Sequence, residues 1–245
     1  MLVLDFDGVV CDALEECALV TWLGLRLPDP ATAVSSYLQA MPREFVRRFQ
    51  KIRDYSRLLD HFLVAHRAAA AGIRTQADFD TLFATLSTAY VARFTGAATA
   101  ARQRCRTEEP RTWLALHTLY PGIPELLRRH AGAAAVVTAK DEPSVRAILA
   151  WYGLGDTVGP VYGGCSRKDE AVRDLCARTG SPTSAVTFID DNLSNVRRVS
   201  ATGARGLWAT WGYHTPEDLA NADRLGTPRL DLAAVSTVDA RSGTR

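Results

Sequence analysis

The chain has 245 residues, of which 47% are hydrophobic and 23% charged, and its formal net charge is +2. This length can bury a full core, and the composition excludes a largely disordered chain. The net charge is too small to indicate nucleic-acid binding. No apolar run approaches the roughly 18 residues of a membrane-spanning helix, and Asp5 and Asp7 interrupt the N-terminal apolar stretch that a signal peptide would need. We therefore expect a cytoplasmic protein that binds neither nucleic acid nor membranes.

The cysteines and lysines give two further indications. The cysteines form no C-x-x-C pair and no cysteine–histidine spacing typical of a zinc site, so we interpret them as buried or incidental thiols, with a catalytic thiol as the alternative. They are Cys11, Cys17, Cys105, Cys165 and Cys176. Only three of the 29 cationic residues are lysines, namely Lys51, Lys140 and Lys168, which makes the position of each lysine informative.

The first part of the chain changes character after a few residues. Residues 2–5 predict a short buried strand, which ends at a glycine turn. From about Ala13 to Arg104, apolar residues recur at helical spacing in the stretches 43–50, 55–71 and 79–94, and no alternating strand pattern appears among them. These patterns predict an all-helical segment inserted directly after the first strand.

Strands and helices alternate after the turn at Tyr120-Pro121-Gly122. The patterns predict strands at 133–138, 158–162, 185–190 and 206–210, and helices at 123–130, 143–152, 168–179 and 193–201. Asp141 is placed to cap the second of these helices. The predicted fold class is therefore α/β, with a Rossmann-like parallel sheet as the core and an inserted all-helical cap domain. The predicted domains are a core of residues 1–13 and 107–245 and a cap of residues 14–106.

The turn after the first strand carries two carboxylates, Asp5 and Asp7, followed by Gly8. In an extended segment, residues two apart project from the same face. One carboxylate can attack phosphorus to give an aspartyl-phosphate while the other handles protons, and the glycine lets the backbone approach a phosphoryl group closely. The alternative is that these residues only cap the following helix.

Two more residues are placed to bind phosphate. Thr138 ends the second core strand, where its hydroxyl and backbone N–H are available to a phosphoryl oxygen; an ordinary threonine at a strand end is the alternative. Lys168 begins a helix after Gly163-Gly164, where an ammonium would neutralise both a nucleophile and a phosphate. The alternative for Lys168 is a solvated surface lysine.

Asp190 and Asp191 close a buried strand. Adjacent carboxylates repel each other unless a cation lies between them and a partner, and oxygen ligands of this kind suit Mg²⁺. The alternative is that Asp191 caps the following helix while Asp190 is exposed.

Together these features resemble the four motifs of the haloacid dehalogenase superfamily. Asp5-Phe6-Asp7-Gly8-Val9-Val10 looks like the first motif, Val136-Val137-Thr138 the second, Lys168 the third, and Ile189-Asp190-Asp191-Asn192-Leu193-Ser194-Asn195 the fourth. Tyr120-Pro121-Gly122-Ile123-Pro124-Glu125-Leu126-Leu127 and Trp211-Gly212-Tyr213 resemble the phosphoglycolate-phosphatase-like and β-phosphoglucomutase-like branch.

The resemblance implies a Mg²⁺-dependent phosphatase that hydrolyses a small phosphorylated metabolite. It implies that Asp5 is the nucleophile and a metal ligand. It also implies that Asp7 protonates the leaving oxygen, then activates water, and binds the metal through its carbonyl. A dehalogenase would lack this second aspartate, so Asp7 favours phosphoryl chemistry.

The resemblance also assigns the remaining site residues. Thr138, Ala139 and Lys168 would bind the phosphoryl oxygens, and Asp191 would be the third metal ligand with Asp190 close by. Asn195 stands where the family often has another acid, so it is a weaker candidate ligand. Lys140 is expected either to touch substrate or to face water.

Three alternatives stay open at this point. A phosphomutase would use the same four motifs. A catalytically silent binding protein would keep the fold without turnover. A phosphoaccepting signalling domain would also place aspartates at strand ends, although the helical insert and Asp7 argue against it.

Overall fold

The computed structural model describes residues 1–26 and 31–239 and divides the chain into two compact units. One unit is formed by Met1–Asp12 together with Thr118–Arg245, and the other by Ala13–His117. The chain returns to the first unit later than residue 107, where the sequence placed the boundary, because two helices continue within the second unit up to Ala115. The last predicted core residues, 240–245, lie outside the described part of the chain.

The first unit begins with two short strands, β1 (Leu2–Leu4) and β2 (Cys11–Asp12). The turn between them contains Gly8, whose φ of +88° is a conformation that favours glycine. A strand of two residues has too little alternation to be predicted from a pattern, and β2 was not predicted.

The second unit is helical in its described residues, as predicted. Its α-helices are α1 (Leu14–Leu23), α2 (Val34–Ala40), α3 (Arg43–Arg53), α4 (Gln76–Ala84), α5 (Thr88–Glu108) and α6 (Pro110–Ala115). The stretch 55–71 contains two 3₁₀ helices, Leu59–His66 and Ala68–Gly72, where the sequence predicted one helical segment. The stretch 79–94 is divided between α4 and α5 because Ser87 caps α5 by accepting a hydrogen bond from the Tyr90 N–H.

The chain then returns to the first unit, where strands and helices alternate. They are β3 (Thr118–Leu119), α7 (Ile123–Arg129), β4 (Ala134–Val137), α8 (Glu142–Trp151), β5 (Val158–Tyr162), α9 (Lys168–Thr179), β6 (Thr187–Asp190), α10 (Leu193–Ser200), β7 (Arg205–Ala209), α11 (Pro216–Arg224) and β8 (Arg229–Leu230). β5 and α9 have the predicted bounds. Asp141 caps α8 by accepting the Ser144 N–H at 3.0 Å, which confirms the predicted cap.

A six-stranded sheet forms the centre of this unit, in the order β5-β4-β1-β6-β7-β8, and the neighbouring strands are parallel. This confirms the predicted α/β class. β1 lies between β4 and β6, and all three strands are buried along their length, as expected for a sheet covered on both faces. Their carboxyl ends meet at one edge, which brings the residues after each strand together.

Among the described residues, no helix has both the length and the hydropathy of a membrane span.

Candidate active site

Asp5 follows β1 at the carboxyl edge of the sheet, and its side chain is held at both oxygens. The Asp5 N–H continues the strand ladder by donating to the Ile189 carbonyl at 2.9 Å. Oδ1 accepts a hydrogen bond from the Phe6 N–H at 2.7 Å, and Oδ2 lies 2.7 Å from Nζ of Lys168. Asp5 is buried, so these contacts fix the carboxylate in one orientation.

Lys168 begins α9 and lies between two carboxylates, with its Nζ 2.7 Å from Asp5 and 2.7 Å from Asp190. Burial disfavours the ammonium, but the opposing charges of Asp190 and Asp5 outweigh burial and raise the pKa of Lys168. The lysine therefore stays charged, and its burial contradicts the alternative of a solvated surface lysine.

Asp190 ends β6 and has no exposed surface. Its Oδ2 accepts hydrogen bonds from Lys168 and from Nδ2 of Asn195 at 3.2 Å, while Oδ1 accepts the Asn192 N–H at 2.7 Å. Burial raises the pKa of Asp190 to about 6; Lys168 opposes this rise and the charge of Asp5 adds to it. The alternative in which Asp190 is exposed is therefore wrong.

Asp191 is not the helix cap that the alternative required. Asn192 caps α10, because its side chain accepts the N–H groups of Ser194 and Asn195. The Asp191 Oδ2 instead accepts the Tyr213 N–H at 2.7 Å. Gly8 lies so close to this carboxylate that a Cβ there would be 1.9 Å from Oδ2. The glycine is thus needed for the close approach to Asp191, while the predicted approach of its backbone to a phosphoryl group stays a prediction.

Asp5, Asp190 and Asp191 form a candidate cation site, because each offers a carboxylate oxygen within 4.8 Å of the others. Oxygen donors of this kind match the preference of Mg²⁺. With Asp7 included, the four acids carry four negative charges when ionised. Lys168 contacts Asp5 and Asp190, and Lys140 contacts Asp7, so the two lysines bring the formal net charge to −2. A divalent cation would neutralise this net charge, so these residues fit the predicted metal.

Asp7 contacts a different lysine. Its Oδ2 lies 3.2 Å from Nζ of Lys140, whose side chain has no exposed surface, and its Oδ1 is buried without a hydrogen-bond partner among the described residues. The sequence expected Lys140 either to touch substrate or to face water. The structure buries its side chain against Asp7, so the expectation that it faces water is wrong, and the contact with substrate stays a prediction. The scarcity of lysine in this chain was the sequence signal that pointed to Lys140.

The structure changes the predicted phosphate contacts at Thr138 in one respect. The Thr138 N–H donates to the Tyr162 carbonyl at 3.0 Å, so it belongs to the β4–β5 ladder and does not face a ligand. The buried hydroxyl is the group left at this residue, and it accepts the Lys140 N–H at 3.2 Å. Ala139, between these two residues, is exposed.

The cysteines do not have the surroundings of a catalytic thiol. Four are buried and Cys165 is partly exposed. Burial raises the pKa of Cys105 to about 12 and also raises the pKa of Cys165 and of Cys176. A nucleophilic cysteine needs the opposite shift, so these thiols support the interpretation as structural residues.

One known protein with a similar sequence is a phosphatase. Phosphoglycolate phosphatase from Synechococcus elongatus is 27% identical over an alignment of 126 residues, which covers 48% of this chain and 59% of that protein. The match thus spans less than two thirds of the relative's length. No protein-family model matches the chain.

Solved structures resemble almost the whole chain. A crystal structure of a predicted phosphoglycolate phosphatase from Haemophilus somnus has a TM-score of 0.63 and 18% identity, covering 97% of this chain and 96% of that one. A haloacid dehalogenase-like family hydrolase from Streptococcus pneumoniae has a TM-score of 0.57 and 16% identity, covering 94% and 92%. The chain has the haloacid dehalogenase-like fold, which confirms the resemblance inferred from the four motifs.

Proposed function

We propose that this chain is a Mg²⁺-dependent phosphatase that hydrolyses a small phosphate monoester through an aspartyl-phosphate on Asp5. The observation that carries the proposal is the fixed orientation of Asp5 at the carboxyl end of a central strand. The Phe6 N–H and Lys168 hold its two oxygens, and two further carboxylates lie beside it. This is the arrangement that an oriented carboxylate nucleophile requires.

In the first step, a carboxylate oxygen of Asp5 attacks the phosphorus of the ester. The bond from phosphorus to the ester oxygen breaks, and Asp7 gives its proton to that oxygen as the alcohol leaves. Lys168, which has a raised pKa, stays charged and offsets the negative charge on the transferring phosphoryl group. The Thr138 hydroxyl, and with it Ala139, is proposed to bind a phosphoryl oxygen.

In the second step, water attacks the phosphorus of the aspartyl-phosphate. Asp7, now a carboxylate, takes a proton from that water, and inorganic phosphate leaves as Asp5 is restored. Asp5, Asp190 and Asp191 would hold Mg²⁺, with the backbone carbonyl of Asp7 as a further ligand. When bound, the ion neutralises charge on the nucleophile and on the phosphoryl oxygens.

The substrate is proposed to be a small phosphorylated metabolite, with 2-phosphoglycolate the first to test because two of the similar proteins carry that name. The cytoplasmic location stays a prediction, as does the absence of nucleic-acid and membrane partners.

The test is phosphate release from 2-phosphoglycolate, sugar phosphates and nucleoside monophosphates, with Mg²⁺ and with chelator. We expect turnover that disappears with chelator and in Asp5→Asn, and acid-quenched protein that carries a phosphoryl group on Asp5. Asp156→Asn, at an exposed carboxylate outside the site, is the matched control and should be as active as the wild type. Undiminished turnover in Asp5→Asn would exclude the nucleophile. Transfer of the phosphoryl group to a second hydroxyl without release would identify a mutase.

Mg²⁺ binding with no turnover and no phosphoprotein on any substrate would favour a silent binding protein. This outcome is read from the same samples, since calorimetry reports the ion and mass spectrometry reports the phosphoryl group.

A further inference from the structure

We propose that Lys140 is a positioning residue that holds the carboxylate of Asp7 so that its Oδ1 performs the proton transfers. This inference rests on the proposed function, because it assigns a partner to the acid–base residue of that reaction. It starts from the distance of 3.2 Å between Nζ of Lys140 and Oδ2 of Asp7.

The backbone of Lys140 is fixed on both sides. Its N–H donates to the Thr138 hydroxyl at 3.2 Å, and its carbonyl accepts the Gly164 N–H at 3.0 Å. Gly163 packs so tightly here that a Cβ would lie 2.9 Å from the Lys140 carbonyl oxygen and 2.3 Å from the Glu142 nitrogen. The loop that leads to Lys168 therefore also holds Lys140 in place.

The two buried lysines contact different acids. Lys168 contacts Asp5 and Asp190, which belong to the predicted nucleophile and cation site, while Lys140 contacts Asp7. Lys140 is not a solvated lysine, because its side chain has no exposed surface. Burying an ammonium is costly unless a carboxylate compensates it.

The ion pair distinguishes the two oxygens of Asp7. Oδ2 is engaged by Lys140, whereas Oδ1 is buried and has no hydrogen-bond partner among the described residues. Holding one oxygen stops the carboxyl group from rotating and keeps the other oxygen in a single position. Such orientation supplies a large part of the rate enhancement that a general acid provides.

The role predicts a dependence on the leaving group. Asp7 gives its proton to the ester oxygen as the bond to phosphorus breaks, and this help matters most for an alkoxide, which is a poor leaving group. A p-nitrophenolate leaves readily without a proton. Loss of Lys140 should therefore impair alkyl phosphates more than p-nitrophenyl phosphate.

The experiment compares kcat/KM for the best alkyl phosphate and for p-nitrophenyl phosphate in the full chain. For Lys140→Met we expect a loss of about 100-fold on the alkyl ester and less than about tenfold on the aryl ester. Lys140→Arg, which keeps a cationic donor, should recover part of the alkyl-ester activity. Lys51→Met is the control, because Lys51 lies in the helical unit and donates to the Ala71 carbonyl, and it should change neither value.

The ratio of the two kcat/KM values does not depend on how much of each variant is folded, so a partly unfolded Lys140→Met still gives a result. An equal loss on both substrates would overturn the inference and leave Lys140 as a structural residue. Wild-type protein that hydrolyses neither ester in the presence of Mg²⁺ would instead contradict the proposed function.

Discussion

The backbone N–H of Tyr213 donates a hydrogen bond to Oδ2 of Asp191 at 2.7 Å. The hydroxyl of the same tyrosine donates to Asp12 at 2.7 Å, and the neighbouring Trp211 donates from its indole N–H to the Val9 carbonyl at 3.2 Å. The segment 211–213 thus holds Asp191, one acid of the candidate cation site, against the turn that carries Asp5. Such outer contacts orient metal ligands and influence how tightly they bind.

Gly212 allows this contact, and replacing it should weaken Mg²⁺ binding. A Cβ at Gly212 would lie 2.3 Å from the Gly8 carbonyl oxygen and 2.4 Å from Cβ of Asp191, and neither atom can swing aside. We expect Gly212→Ala to lower Mg²⁺ affinity at least about tenfold. Titration calorimetry with Mg²⁺, in the absence of substrate, measures this directly.

Gly96→Ala is the matched control for this substitution. Gly96 lies within α5, and apart from its chain neighbours and the adjacent backbone of that helix, no atom of the described residues comes within 4 Å of a Cβ built there. Its Mg²⁺ affinity should match the wild type, and its helix should gain up to about 1 kcal/mol. If Gly212→Ala bound Mg²⁺ as tightly as this control, the segment 211–213 would have no part in placing Asp191.

The sequence predicted the features that depend on local pattern. The bounds of α9 follow from its helical periodicity, and the meeting of Asp5 with Asp190 follows from two neighbouring parallel strands that end at one edge. The contacts of Lys140 and Tyr213 depend on how distant loops pack, since each bridges segments far apart in the chain. No local periodicity contains that information.

The cap of α10 is one residue away from where an alternative placed it. That alternative made Asp191 the cap, but Asn192 is the cap, and both residue types are good caps. Only the residue at which the first helical turn begins distinguishes Asp191 from Asn192 as the cap. Helix ends are uncertain by one or two residues, so a sequence pattern does not decide between these neighbours.

Lys168 should be needed for stability as well as for activity. Its removal in Lys168→Met leaves Asp5 and Asp190 buried without their shared cation. Breaking a buried ion pair from one side costs about 3 kcal/mol or more in the free energy of unfolding. Urea denaturation in the presence of chelator, which removes any contribution from bound metal, measures the loss.

A second variant separates charge from packing in this prediction. Lys168→Met combined with Asp190→Asn removes one of the two uncompensated charges, so the double variant should be more stable than the two single effects added together. Additive losses would mean that the ion pair contributes little and that Lys168 stabilises the fold through its aliphatic part.

The stability of the helical unit should fall in mild acid because of His66. Its Nε2 lies 2.7 Å from the Thr21 carbonyl oxygen, so the neutral ring donates there, and the ring packs against Phe45 with centroids 5.0 Å apart. Burial lowers the pKa of His66 to about 4; the hydrogen bond to Thr21 opposes this, while Arg26 and Arg48 lower it further.

The direction of the pH dependence of stability follows from the lowered pKa of His66. Because the folded-state pKa of His66 is below that of an unfolded histidine, the unfolded chain binds more protons between about pH 6.5 and pH 4. The stabilisation is complete above that range and is lost as the pH falls through it. With allowance for partial exposure, we expect unfolding to become easier by about 1–2 kcal/mol between pH 7 and pH 5.

Urea denaturation of the wild type and of His66→Gln at pH 7 and pH 5 tests this. Glutamine keeps a donor for the Thr21 carbonyl but does not titrate, so the variant should lose less stability on acidification than the wild type. Some pH dependence should persist in the variant, because burial also lowers the pKa of His61 in the same unit. An unchanged pH dependence in His66→Gln would mean that His66 is protonated in the folded protein without cost, and that its ring is not held in the neutral form.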